Sequence, residues 1–415
     1  MPLEYNTLIV LLGTVALGAT AGVVGCLALL RRRALLGDAL SHATLPGICL
    51  AFIILGERSF PVLLGGALVT GLIGVTCVAL LSRWTRIKAD AATGLVLSVF
   101  FGIGIALSSY IQNNSTTGAQ AGIDGFILGK TAGMVLSDLY FIGGTAVAVL
   151  VIVVLFYKEL KLFSFDSAFA AVEGWPVVRL DLLFLSLLTV TTVIGLPAVG
   201  VVLMIALLVI PAAAARLWTT RLGNMMTLSA AFGATTGAVG TLLSTHYPHL
   251  PAGPVIVLAA AAIFLLSILI APRRGVIART LSMQQMRRRR QRRKLLLFFF
   301  EQRERGERAV DRGDFEQAFG TPNPRGLRDA IRDGWVKGMS GSWELTEPGL
   351  NRAVSVARAH RLWIHYLLTE AEIDRDLVDP DTDTIEAILP ADVVERMQSE
   401  LEAAGRLPRV EALPC

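Results

Sequence analysis

Residues 7–33 read TLIVLLGTVALGATAGVVGCLALLRRR. From Thr7 to Leu30 no side chain is charged, and Arg31, Arg32 and Arg33 close the run. The hydrocarbon core of a bilayer, about 30 Å thick, takes about 20 apolar residues of helix, so this run is long enough to cross. Its apolar residues are continuous rather than alternating, which is not the pattern of a barrel strand. A helix then satisfies every backbone group without water.

Eight further runs have the same character, at about 39–56, 61–82, 91–112, 134–157, 180–195, 197–218, 223–243 and 252–271. The sixth span is short and its boundary with the seventh is open, so eight or ten spans are alternatives to nine. Arginine and lysine orient the set, because cytoplasmic loops carry the excess of these residues. Arg31 to Arg33 follow span one, Arg83, Arg86 and Lys88 span three, and Lys158 and Lys161 span five. Arg216 and Arg221 follow span seven, and Arg273 and Arg274 span nine. Every second connection is basic, which places the N-terminus outside and the C-terminal region in the cytoplasm.

Charge separates that C-terminal region from the rest. Residues 1–272 carry 23 charged side chains, whereas residues 273–415 carry 48 in about half the length. The expected fold is an all-α polytopic membrane protein of about nine transmembrane helices with a small cytoplasmic winged-helix-like α+β domain. Its expected boundaries are 1–272 for the membrane domain, 273–299 for a basic juxtamembrane linker and 300–415 for the cytoplasmic domain. Cys26, Cys49, Cys77 and Cys415 form no CxxC pair, so neither a zinc ribbon nor a disulfide framework is supported. No cleavable signal peptide is evident. Phosphate-cradling GxxxxGK[ST] does not occur in the chain.

Chemistry concentrates in Gly37-Asp38-Ala39-Leu40-Ser41-His42-Ala43-Thr44-Leu45-Pro46-Gly47. Asp38 and His42 are i and i+4, so a helix projects them from one face. Ionisable groups within a membrane are costly and mark ion or substrate pathways. Carboxylate oxygen with imidazole nitrogen suits manganese, iron or zinc. The competing interpretation makes Asp38 a helix N-cap and leaves His42 satisfied by a neighbouring helix, and the pair alone does not choose between them. Gly18 and Gly22, like Gly233 and Gly237, form GxxxG pairs that suit close helix packing. Pro46 and Pro211 kink their spans. His246 and His249 lie in the outer loop before the last span, where an exposed pair is more often incidental than a metal ligand.

Loop 158–178 carries a short surface helix. Asp166 is its N-cap, Ser167 to Glu173 its turns, Gly174 its C-cap, and Pro176 stops it. Phe165, Phe169 and Val172 are available for contact. A mechanical link to a cytoplasmic motor or a plain interfacial anchor would look alike in composition.

Phe165-Asp166-x-x-Phe169-Ala170-x-x-x-Gly174-x-Pro176 resembles the coupling-helix segment of permeases of the manganese/zinc/iron family of ABC transporters. Gly37-Asp38-x-x-Ser41-His42-Ala43-x-x-Pro46-Gly47 resembles that family's early motif. So do Val199-Gly200-x-x-Leu203 through Pro211-Ala212-Ala213-x-Ala215-Arg216 and Leu250-Pro251-Ala252-Gly253-Pro254 through Leu258. The resemblance covers roughly residues 5–272. It implies a permease subunit of an ATP-driven importer in the bacterial cytoplasmic (inner) membrane. It further implies a second permease subunit, two cytoplasmic ABC ATPase subunits and an extracytoplasmic metal-binding protein. Asp38 and His42 match residues that handle metal in transit. Phe165, Asp166, Phe169, Ala170 and Gly174 match the ATPase-coupling segment, and Ala168 departs from the acidic residue usual there. The expected cargo is manganese first, then zinc or iron, with ATP on the partner subunit and no covalently bound cofactor. The chain itself is then not an enzyme.

After the last span, Arg287-Arg288-Arg289-Arg290-Gln291-Arg292-Arg293-Lys294 reads as a lipid-binding collar more than a nucleic-acid contact. Leu295 to Phe300 is too short to span. Residues 313–320 and 324–333 read as short helices, and 335–345 as a hairpin around glycines. This pattern, with Leu345-Thr346-x-x-Gly349 through Ala359-His360-Arg361-Leu362, resembles the diphtheria-toxin-repressor family of iron/manganese-dependent regulators. That resemblance implies a regulatory metal site at His360, Asp383 and Glu386. Ala387 stands where the family commonly has a histidine, so the site would be incomplete. Two other functions stay open: a membrane-tethered metal-responsive transcriptional regulator, and an ion-coupled secondary metal carrier.

Overall fold

The computed structural model describes residues 5–33, 36–55, 60–114, 129, 131–247, 249–272, 274–320, 325–339, 341–369, 391–403, 405 and 408. It divides into two compact units, Met1–Arg279 and Thr280–Cys415.

The first unit is helical. In chain order it contains α1 (Tyr5–Leu30), α2 (Leu36–Ala43), α3 (Leu45–Leu55), α4 (Phe60–Trp84), α5 (Ala89–Asn114) and α6 (Leu136–Leu155). There follow α7 (Tyr157–Phe165), α8 (Ser167–Val172), α9 (Val177–Trp218), α10 (Leu222–His246) and α11 (Ala252–Ile270). With α2 and α3 taken as one broken span, eight described helices are long and apolar enough to cross a membrane.

α9 resolves the boundary that the sequence left open. Its 42 residues would measure about 63 Å if straight, roughly twice the hydrocarbon core. It is not straight. Gly200 has φ 80° and ψ 170°, a conformation that a side chain disfavours. The chain folds back there. Asp181 lies at the level of Arg33, Gly195 against Leu17, and Leu208 against Gly25, so the second half retraces the first along α1. Gly195 also abuts Met204, nine residues on, which a straight helix would hold about 13 Å away. The expected break near 196 therefore falls at Gly200. Pro197 alone does not end the helix.

The two GxxxG pairs pack against each other. A Cβ built at Gly18 would run into the Gly233 carbonyl, and one at Gly233 into the Gly18 carbonyl. At Gly22 it would meet Ser229 O at 2.5 Å, and at Gly237 Thr14 O at 2.6 Å. Hydrogen bonds lock the approach: Ser229 Oγ donates to Gly22 O at 2.8 Å, and Thr14 Oγ1 and Thr241 Oγ1 lie 3.0 Å apart. Small residues let backbones close in where lipid supplies no hydrophobic drive. Gly18→Leu or Gly233→Leu is expected to cost about 1–3 kcal/mol by overpacking and to lower the yield of folded protein, as read by thermal unfolding in detergent. An unchanged melting temperature would contradict this packing.

α12 (Val276–Glu304) begins four residues before the second unit, with β1 (Ala309–Asp311), α13 (Arg312–Phe319) and α14 (Arg325–Arg332) after it. Then come β2 (Val336–Met339), β3 (Ser342–Leu345), α15 (Glu347–Thr369) and α16 (Ala391–Ala403). The stretch expected as a linker is helical from Val276 onward, because Leu295, Leu296, Phe299 and Phe300 repeat at helical spacing and are buried. β2 and β3 pair antiparallel, Val336 opposite Leu345, as the glycine turn suggests. β1 adds a third strand on the other side of β3, giving the order β1-β3-β2. Its three residues are too few to show an alternating pattern. Thr346 Oγ1 accepts from Gly349 N at 3.2 Å and so starts α15.

Candidate metal site and coupling segment

α2 ends at Ala43, Thr44 is a turn, and α3 resumes at Leu45. Pro46 has no N–H, so the carbonyl of His42 lacks its usual i+4 donor. The turn is tied down instead by side chains. Ser41 Oγ donates to Gly37 O at 2.8 Å, and Thr44 Oγ1 to Ser41 O at 2.7 Å. Gly47 meets the Gly66 backbone of α4. Leu36, Gly37, Ala39, Leu40, Ser41 and Ala43 are buried, so α2 is anchored on nearly every side.

Asp38 and His42 are the exceptions. Their side chains keep 40 % and 29 % of their accessible surface, and His42 Nε2 lies 3.5 Å from Asp38 Oδ1. A carboxylate and an imidazole therefore share one open face of this half-helix. The edge of the His42 ring meets Phe101 of α5, centroids 4.8 Å apart. Nothing in sequence pointed to Phe101, which lies 59 residues downstream on another helix. Two ligands do not complete the four or six that zinc or manganese takes. Among the described residues no three His, Cys, Asp or Glu side chains come together to hold a metal.

The segment expected to couple to an ATPase contains α8. Asp166 Oδ1 accepts from Ala168 N at 3.1 Å and Phe169 N at 2.9 Å, the N-cap geometry that its position predicts. Gly174 follows with φ 82°, and Pro176 leads into α9. Phe165, Phe169, Val172 and Trp175 are exposed apolar side chains. Ala170 is the reverse. It is completely buried, so it seats α8 on the helices beneath it and is not part of the outward face.

An ion-pair cluster not read from sequence joins these two regions. Arg33 Nη1 lies 2.8 Å from Asp181 Oδ1, near the start of α9, and Arg31 Nη2 lies 3.9 Å from the same oxygen. Arg31 Nη1 also donates to Phe163 O at 3.1 Å, with its guanidinium 3.9 Å from the Phe163 ring centroid. Phe163 precedes α8 by four residues, and Arg33 precedes α2 by three.

His246 ends α10, exposed, against the edge of Tyr247, and His249 is exposed with φ 78°. His360 is half-buried on α15, while Asp383 and Glu386 lie outside the described residues. His365 Nε2 lies 2.8 Å from Glu400 Oε2 of α16.

Residues 4–271 match the ABC 3 transport family, and residues 346–414 match the metal-binding and dimerisation domain of iron-dependent repressors. Over 412 residues, 97 % of this chain and 93 % of the relative, the sequence is 39 % identical to the manganese transport system membrane protein MntC of Bacillus subtilis. It is 44 % identical to the zinc transport system membrane protein TroC of Treponema pallidum over 66 % of this chain and 91 % of that one. Among solved structures, PsaBC from Streptococcus pneumoniae, in complex with Fab, aligns at 34 % identity with TM-score 0.58. That alignment covers 68 % of this chain and 95 % of that one.

Proposed function

The chain belongs to the ABC 3 transport family, and from that premise we propose that it carries manganese first, with zinc or iron next, through the bacterial cytoplasmic membrane. It is a transport subunit, the membrane permease of an ATP-driven metal importer, and not an enzyme. ATP hydrolysis belongs to a separate ABC ATPase, in keeping with the lack of a GxxxxGK[ST] motif in this sequence. One observation carries the cargo assignment. A carboxylate and an imidazole 3.5 Å apart share the single open face of a half-helix that is otherwise buried.

The ion gains its further ligands from water or from a second permease subunit. The exposed face of α5 supports the latter. Gly94 and Gly102 have nothing within 4 Å of an added Cβ, Ser98 between them is exposed, and Phe101 beside them touches His42. Small residues at four-residue spacing are how helices meet closely in lipid. An extracytoplasmic metal-binding protein delivers the ion from outside, and the ATPase docks on α8 through Phe165 and Phe169, with Asp166 and Gly174 shaping the helix and Ala170 seating it. Nine crossings, counting α9 twice, keep every basic connection on the cytoplasmic side, with the N-terminus outside.

The second unit is a winged-helix module followed by a repressor-like segment in the cytoplasm. We assign it a regulatory or structural role within the permease, with His360, Asp383 and Glu386 as its candidate metal ligands. Tethering to nine membrane helices argues against an independent transcription factor, and an ion-coupled carrier would have no use for α8. Cells that express the chain with its ATPase are expected to accumulate manganese well above cells that express either alone. Equal metal content in all three would refute the assignment.

A further inference from the structure

We propose that the second unit binds a compact phosphate-bearing ligand in a cavity walled by α12 and α15. The cavity has a volume of about 780 Å³ and is lined by Arg289, Arg292, Arg293, Arg352, Arg358 and Trp335. This size is that of a small-molecule site, for which roughly 300–1,000 Å³ is usual.

Two helix faces build it. Arg289, Arg292 and Arg293 are i, i+3 and i+4 on α12, and so share one face of that helix. Arg352, Ser355, Val356 and Ala359 repeat at the same spacing on α15 and also line the cavity. The basic run of α12 therefore does more than coat one helix with charge. It converges with arginines about 60 residues downstream.

Five guanidinium groups line this space and no carboxylate does. Asp329 and Asp333 hold Arg292 at 3.4 and 2.9 Å from outside the lining. The Nε atoms of Arg292 and Arg358 are buried without a hydrogen-bond partner. Like charges gathered in a concavity raise the local potential and concentrate anions. Guanidinium forks match phosphate oxygens two by two, which a diffuse anion such as chloride cannot exploit. Ser355 adds a hydroxyl, and the Trp335 ring, 5.6 Å from the Arg292 guanidinium, gives an apolar flank for the rest of the ligand.

A recessed cavity does not suit duplex DNA, which is read by elements that project into a groove. Two sources remain for the same chemistry: a free nucleoside di- or triphosphate, or the phosphate of an anionic lipid.

Hydrogen exchange on the full chain in nanodiscs separates them. One arm adds ADP, without magnesium, to phosphatidylcholine discs. The other replaces part of the lipid with phosphatidic acid. We expect about tenfold slower exchange at 289–293 and 352–359 in one arm, a shift that corresponds to about 1.4 kcal/mol. Sodium chloride at matched ionic strength should not reproduce it, and Arg352→Gln with Arg358→Gln should abolish it. Arg289 is exposed, so Arg289→Gln leaves the fold intact and should weaken the protection several-fold. The proposal is overturned by no protection in either arm, by equal protection from chloride, by undiminished protection in the Arg289→Gln protein, or by a response to duplex DNA alone.

Discussion

Asp38→Ala and His42→Ala are each expected to abolish metal uptake while the protein still assembles in the membrane. The pair offers a carboxylate and an imidazole, and α2 holds them on one open face 3.5 Å apart. Loss of a residue that merely orients a metal ligand costs roughly 10–100-fold, so loss of the ligand itself should exceed that. Assembly should survive because neither side chain is buried and the turn at Thr44 is fixed by its own hydroxyl, which donates to Ser41 O, and by Thr70 Oγ1, which donates to Thr44 O. Asp38→Asn separates charge from shape. It keeps an oxygen in place but removes the negative charge that draws a doubly charged ion, and uptake should fall with it. Normal uptake in either alanine variant would refute the site. Loss of the folded protein would instead make Asp38 a structural cap.

Ala170→Glu is expected to uncouple ATP hydrolysis from transport. Ala170 is completely buried under a helix of only six residues. A carboxylate there would sit without a partner away from water, a cost of several kcal/mol that α8 has little packing to resist. The helix should leave its seat and present Phe165, Phe169 and Val172 at the wrong angle. Hydrolysis measured with the ATPase bound should continue or lose its response to substrate, while uptake stops. Ala170→Ser, which adds one small hydroxyl, should retain both. Tight coupling in the Ala170→Glu protein would contradict the seating role.

How far sequence reaches is clearest in α8 and α9. The α8 segment was legible because its signals are local: the Asp166 cap, Gly174 and Pro176 all act within a few residues. The burial of Ala170 was not, since it depends on what lies beneath the helix. In α9, apolar runs at 180–195 and 197–218 put the break near residue 196, but the turn needs the positive φ that Gly200 supplies. The GxxxG pairs were visible singly. Their mutual contact spans over 200 residues, and no periodicity encodes it. The same holds for Arg33 with Asp181 and for Phe101 with His42. In the second unit the pairing of β2 with β3 follows from the glycines between them, whereas β1 joins the sheet through pairing alone. The arginine cavity has the same character, because α12 announced its charge but not its companions on α15.

Uptake of divalent manganese into liposomes that hold this permease with its ATPase tests the central claim most directly. The account predicts uptake that requires ATP hydrolysis, prefers manganese over magnesium and calcium, and disappears in His42→Ala. Full uptake without the ATPase, or equal uptake of all three ions, would contradict it.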